Sequence, residues 1–74
     1  MDFQAIVEEK AREMGVLNDQ NELSGLTSLT VLDFVVTLED ATGLEVPPEE
    51  VVAPNFVSVD SLVVMLRRIS NGNA

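Results

Sequence analysis

The chain has 74 residues and contains neither cysteine nor histidine, which excludes a disulfide framework, a thiolate or imidazole catalyst and a soft metal site. Its 13 acidic and 4 basic residues give a net charge of -9, which disfavours binding to nucleic-acid phosphate or anionic lipid and favours basic partners. Because its three aromatic residues are all Phe, stacking on unpaired bases is equally unsupported.

The amino-terminal residues mix charged side chains among the apolar ones, unlike a secretory signal, and no apolar run approaches the ~18 residues of a membrane span. We therefore expect a cytoplasmic protein that does not enter a membrane. Because the chain begins with Met and ends soon after its last predicted helix, we also expect one free-standing domain over residues 1–74.

The first predicted element is a helix over residues 3–14. Its apolar residues have helical spacing, Asp2 is a suitable N-cap, and Gly15 can end the helix. Residues 15–27 are polar, with turn-forming residues and isolated apolar anchors. This composition predicts a loop that folds back onto the core.

A second, central helix is predicted over residues 28–42, which Gly43 can end. The two prolines that follow, Pro47 and Pro48, favour an extended backbone that leads into a short helix over residues 49–52. This short helix would end at a third proline, Pro54.

Ser58 can cap a last helix, in which apolar residues repeat at i, i+3, i+4 and i+7, namely Leu62, Met65, Leu66 and Ile69. A polar tail over residues 70–74 follows. Three longer helices and one short one predict an all-α fold, a small four-helix bundle.

The central helix has apolar residues on two nearly opposite sides at about 100° per residue. The residues on one side, here called the first stripe, are Val31, Phe34, Val35 and Leu38. Those on the other side, the second stripe, are Leu29, Leu32 and Val36. We expect the first stripe to face the core. The second stripe is either additional core, because a central helix in a small bundle has several neighbours, or an exposed contact surface.

Polar residues border the second stripe, with Thr30, Asp33, Thr37 and Asp40 along one edge and Glu39 on the other. An apolar patch rimmed by carboxylates suits a partner that has an apolar centre and a basic rim. If the second stripe is exposed, the pattern therefore predicts a docking surface.

Two serines lie at or near the first turn of a predicted helix, where free N–H groups and the helix dipole favour an attached phosphate. Ser28 precedes the second stripe and its acids. Ser61 lies in the tripeptide Asp60-Ser61-Leu62, but two valines and two arginines follow it. Helix capping is the ordinary role of such a serine, and we favour it for Ser61.

The segment GLTSLTVLDFVVTLEDATGLEVPPEE, residues 25–50, resembles the central part of acyl carrier proteins. In that family a glycine three residues before Asp-Ser-Leu opens the second helix, as Gly25, Ser28 and Leu29 would here. Residues 38–40 match the acidic end of that helix and residues 45–47 the exit from it. The resemblance covers residues 25–69 and implies the family's four-helix fold, with a 4'-phosphopantetheine from coenzyme A on Ser28.

The resemblance also implies roles for the residues around the second stripe. Asp33, Glu39 and Asp40 match the family's partner-recognition acids, and Leu29, Leu32 and Val36 match its apolar contact positions. The implied partners are a phosphopantetheinyl transferase and then ligases, acyltransferases or synthases with basic docking surfaces. The chain would be a monomeric carrier of acyl or aminoacyl thioesters and not an enzyme, with no catalytic and no metal-binding residue.

The chain departs from that family in two places. Thr27 stands where the family usually has Asp, and the loop before Ser28 is shorter than usual. These departures indicate a specialised carrier, in a polyketide, nonribosomal or related secondary-metabolite pathway, although the adjacent glycines typical of peptidyl carriers are missing. The alternative from another class is an unmodified acidic helical adaptor that binds a basic protein.

Overall fold

The computed structural model describes residues 1–72, which form three α-helices: α1 Phe3–Glu13, α2 Ser28–Thr42 and α3 Val59–Gly72. Two 3₁₀ turns, Pro48–Glu50 and Ala53–Phe56, lie between α2 and α3. The described residues form no strand beyond two isolated bridges, one within the loop before α2, between Leu17 and Leu23, and one from that loop to the residue before α3, between Glu22 and Ser58. The all-α prediction is confirmed. No helix within residues 1–72 combines the length and the apolar character that crossing a membrane requires.

The helix boundaries follow the sequence signals closely. The Asp2 side chain accepts a hydrogen bond from the Ala5 N–H at 3.1 Å and caps α1. Helix α2 has the predicted bounds, and Gly43 ends it with φ of 74°, a left-handed conformation that strains other residues. Helix α3 begins directly after Ser58 and continues to Gly72, into the predicted polar tail. Residues 73 and 74 of that tail lie outside the described residues.

The short helix predicted over residues 49–52 is not confirmed, because two 3₁₀ turns occupy this part of the chain. An α-helix passing through Glu50 would need the N–H of residue 54 to donate to the Glu50 carbonyl, and Pro54 has no N–H. The Asn55 side-chain amide donates to that carbonyl instead, at 2.7 Å. The four-helix count is therefore not confirmed for the described residues.

The core lies between the three helices. Val7 and Ala11 of α1, Phe34 and Leu38 of α2, and four further residues of α3 are buried there, namely Leu62, Met65, Leu66 and Ile69. The remaining residues of the first stripe also face this core, since Val35 is buried and Val31 is half-buried against it. The first stripe is therefore core, as predicted.

The loop before α2 folds back onto the core, also as predicted. Val16 is buried, and Leu17, Leu23 and Leu26 pack against the core. Two backbone hydrogen bonds join the loop to the start of α3, from the Leu23 N–H to the Val57 carbonyl at 2.9 Å and from the Val59 N–H to the Asn21 carbonyl at 3.0 Å. The loop is therefore tied both to the core and to the start of α3.

The two sides of α2 lead to a first prediction. Phe34 is fully buried, so Phe34→Ala should lower the free energy of unfolding by about 3 to 5 kcal/mol, a large part of the stability of so small a domain. Val36 is exposed, so Val36→Ala should change it by about 0.5 kcal/mol or less. Urea denaturation of both variants measures the difference. Equal losses of stability would show that the second stripe contributes to the fold.

Candidate functional site

The second stripe is exposed. Leu29, Leu32 and Val36 keep 78%, 58% and 54% of their surface accessible, although each is apolar and lies within a regular helix. The interpretation of these residues as additional core is therefore wrong. Three large apolar side chains on one side of a helix form a patch of the kind that binds partners.

The acids predicted to border this patch differ in their surroundings. Asp33 and Asp40 are exposed. Glu39 is half-buried, and its Oε2 accepts a hydrogen bond from the Val46 N–H at 2.8 Å. Glu39 therefore also holds the chain where it leaves α2. Helical spacing does not predict this second role, because the bond depends on the reversal of the chain at Gly43.

Ser28 is the first residue of α2 and is exposed. Two threonines cap this helix end. The Thr27 N–H donates to Thr30 Oγ1 at 2.6 Å, and the Thr30 N–H donates to Thr27 Oγ1 at 3.3 Å, which together make a capping box. Thr27 thus replaces the cap that an Asp would provide, and the capping does not use the Ser28 hydroxyl.

The first turn of α2 contains no acidic residue. Free N–H groups at the start of a helix, together with the helix dipole, favour a negative group there by about 0.3 to 1 kcal/mol. An exposed hydroxyl at this point is chemically suited to carry a phosphodiester. The chain therefore fits a phosphate-linked prosthetic group at Ser28.

The hydroxyl of Ser61 is in a different environment. Ser61 is half-buried, and its Oγ lies 2.9 Å from both the Asn55 and the Ser58 carbonyl oxygens, to which it can donate. It also accepts a hydrogen bond from the Ser58 N–H, while Ser58 Oγ accepts one from the Ser61 N–H. Ser61 therefore caps α3 together with Ser58, as predicted, and its modification would break these bonds.

An open cleft of about 440 Å³ lies beside Ser28. One wall is the start of α2, where Ser28, Val31 and Leu32 line it. The other wall is the connection between α2 and α3, which contributes Val51, Val52, Ala53 and Phe56. Leu32 belongs both to the second stripe and to this cleft, so the exposed patch and the cleft form one continuous apolar surface next to Ser28.

Across the connection, Glu50 pairs with Arg68 of α3. The Arg68 Nε donates to Glu50 Oε2 at 3.3 Å, and Arg68 Nη2 donates to Glu50 Oε1. The hydrogen bond from Arg68 lowers the pKa of Glu50 below its ordinary value, and the bond to Glu50 raises the pKa of Arg68. Within residues 1–72, no cluster of acidic side chains is arranged to hold a metal ion.

Comparison with known proteins identifies the family. The family model described as "Phosphopantetheine attachment site" matches residues 3–63, a range that includes both Ser28 and Ser61. No curated protein and no solved structure matches the chain. Because the matched range runs from α1 to the first turns of α3, the chain belongs to the phosphopantetheine attachment site family and is an acyl-carrier-like protein that binds 4'-phosphopantetheine covalently at a serine.

Proposed function

We propose that Ser28 is the serine that carries the 4'-phosphopantetheine arm, and that the chain delivers acyl or aminoacyl groups to partner enzymes. The observation that carries this proposal is the exposed Ser28 hydroxyl at the start of α2, outside the threonine capping box and next to the exposed second stripe. Ser61, the competing serine, has its hydroxyl engaged in the cap of α3.

The arm would come from coenzyme A through a phosphopantetheinyl transferase, which joins the phosphate to Ser28 Oγ as a phosphodiester. The terminal thiol of the arm supplies the chemistry, because it holds the acyl or aminoacyl group as a thioester. The chain itself contributes attachment, position and recognition. It contains no thiol or imidazole for catalysis, so we propose that it is a carrier and not an enzyme.

The second stripe and its acids would be the docking surface. Leu29, Leu32 and Val36 supply an exposed apolar centre, and Asp33 and Asp40 supply exposed negative charge beside it. Such a surface suits a transferase, ligase, acyltransferase or synthase whose own surface has an apolar centre and a basic rim. Glu39 would add its charge to this surface while it holds Val46.

Thr27 supports a specialised pathway, of the polyketide, nonribosomal or a related secondary-metabolite type. It preserves the helix cap and removes the negative charge that an Asp would place next to Ser28. A transferase or partner that requires that charge would discriminate against this chain. One that recognises a neutral residue there would favour it.

The attachment site is tested by substitution of the two serines. Incubation of the unmodified chain with coenzyme A and a promiscuous phosphopantetheinyl transferase should add one phosphopantetheine to the native chain and to Ser61→Ala, and none to Ser28→Ala. Intact mass spectrometry measures the addition. Circular dichroism should accompany it, because Ser61→Ala loses part of a helix cap, at a cost of about 1 kcal/mol.

Addition of the arm to Ser28→Ala would refute the assignment. A chain isolated from its own host without the arm, and not modified by the transferase, would favour the acidic adaptor instead. The second stripe would then bind a partner without any attached group.

The acids are tested by charge reversal at one position at a time. Asp33→Lys or Asp40→Lys should raise the KM for modification by the transferase severalfold with little change in kcat, because exposed charges act mainly on association. The effect should shrink as added salt screens charges beyond about 10 Å at 0.1 M. Stopped-flow kinetics at two salt concentrations measures the change in KM and its dependence on salt.

The matched control is Glu9→Lys, which makes the same charge change at an exposed acid of α1. An equal rise in KM for this control would show that only net charge matters. Glu39→Lys is unsuitable for the comparison because it also removes the acceptor of the Val46 N–H.

A further inference from the structure

The part of the connection that faces the cleft beside Ser28 is attached to the helices at its two ends and only sparsely between them. Val46 and Phe56 are buried and anchor the ends. Between them Val51 is half-buried, whereas Val52, Ala53 and Pro54 are exposed. Within residues 48–55, here called the cleft wall, Val51 is therefore the apolar side chain that packs against the core.

The backbone hydrogen bonds of the cleft wall are local. The N–H groups of Glu50, Val51, Val52 and Asn55 donate to carbonyl groups two or three residues earlier, all within residues 47–52. Pro48 and Pro54 have no N–H to donate. These bonds belong to single 3₁₀ turns and do not join the wall to any helix, so they protect their N–H groups only while the wall is held in place.

Polar side chains make the connection to α3. Arg68 binds both carboxylate oxygens of Glu50. The Asn55 amide donates to Glu50 Oε1 at 3.1 Å as well as to the Glu50 carbonyl, and Ser61 Oγ donates to the Asn55 carbonyl at 2.9 Å. Ser61 acts near the buried anchor Phe56, whereas Arg68 lies two turns further along α3 and binds Glu50 within the wall.

We propose that the cleft wall is a movable element and that the Glu50–Arg68 ion pair is the latch that holds it against α3. An exposed ion pair changes a local equilibrium by about fivefold at most, so the latched wall would still open without unfolding of the helices. Opening moves Val51 and Val52 away from Leu32 and widens the cleft beside Ser28. Arg68 is thus a positioning residue for the site, although it lies on another helix.

The relevance of the widened cleft to the phosphopantetheine arm rests on the proposed role of Ser28. The movement of the wall does not depend on that role. The experiment therefore uses the unmodified chain. Amide hydrogen exchange measured residue by residue by NMR should be about two- to fivefold faster at Val51, Val52 and Asn55 in Arg68→Gln than in the native chain. Amides of the buried core helices, such as those of Leu38 and Leu66, should be unaffected.

The matched control is Arg67→Gln, which removes the same charge from the neighbouring exposed position of α3 and should leave exchange in the wall unchanged. Glu50→Gln should accelerate the wall amides as Arg68→Gln does. The double variant should add little to either change, because both substitutions remove one interaction. Sodium chloride at about 1 M should accelerate the native wall and not that of the variants.

Three results would overturn the latch. The first is unchanged exchange in the wall of Arg68→Gln, which would mean that Val46 and Phe56 hold the wall without help. The second is equal acceleration throughout the chain, which would make the pair a contribution to global stability. The third is additive effects of the two single variants, which would show that Glu50 and Arg68 act independently.

Discussion

The structure depends on one constraint, which is that α2 packs on one side only. Phe34 and Leu38 fill the core between α1 and α3, so the orientation of α2 about its axis is fixed by burial. With that orientation set, Leu29, Leu32 and Val36 have no position other than the surface. Their exposure opposes the hydrophobic effect within the monomer, and it is explained if a partner covers them. The fold and the proposed docking surface are thus two results of one helical pattern.

The same helix also positions the proposed attachment point. Because α2 starts at Ser28, the proposed attachment point, the exposed stripe and the cleft are adjacent. The threonine pair matters here, since it satisfies the helix end and spares the serine hydroxyl. At the start of α3 the serine hydroxyl is not spared, because Ser61 itself forms part of the helix cap. The hydrogen bonds around the two serine hydroxyls therefore distinguish Ser28 from Ser61 better than the tripeptide Asp60-Ser61-Leu62 does.

Most of the fold could be predicted from the sequence, and the failures have physical causes. Helical periodicity and capping residues are local signals, and they placed α1, α2 and the start of α3 within about one residue. Two 3₁₀ turns replace the helix predicted over residues 49–52, because Pro54, which was expected only to end that helix, also has no N–H to donate to the Glu50 carbonyl. The Glu39–Val46 bond and the Glu50–Arg68 pair, 18 residues apart, join residues that come together only in the folded chain. Exposure of the second stripe was likewise undecidable from a helical wheel, since both sides are apolar.

The distribution of positive charge completes the argument for the surface of α2. Lys10 pairs with Glu13 and Arg12 pairs with Glu8, both within α1, and Arg68 pairs with Glu50. Within residues 1–72, no ion pair joins a base to Asp33, Glu39 or Asp40, although Lys10 lines a shallow pocket together with Asp40. The negative field along α2 is left for an approaching protein to neutralise, and exposed charges of this kind act on the rate and specificity of association more than on stability. A carrier that must visit several enzymes in turn benefits from such an encounter, because fast, weakly held contacts allow it to leave as readily as it arrives.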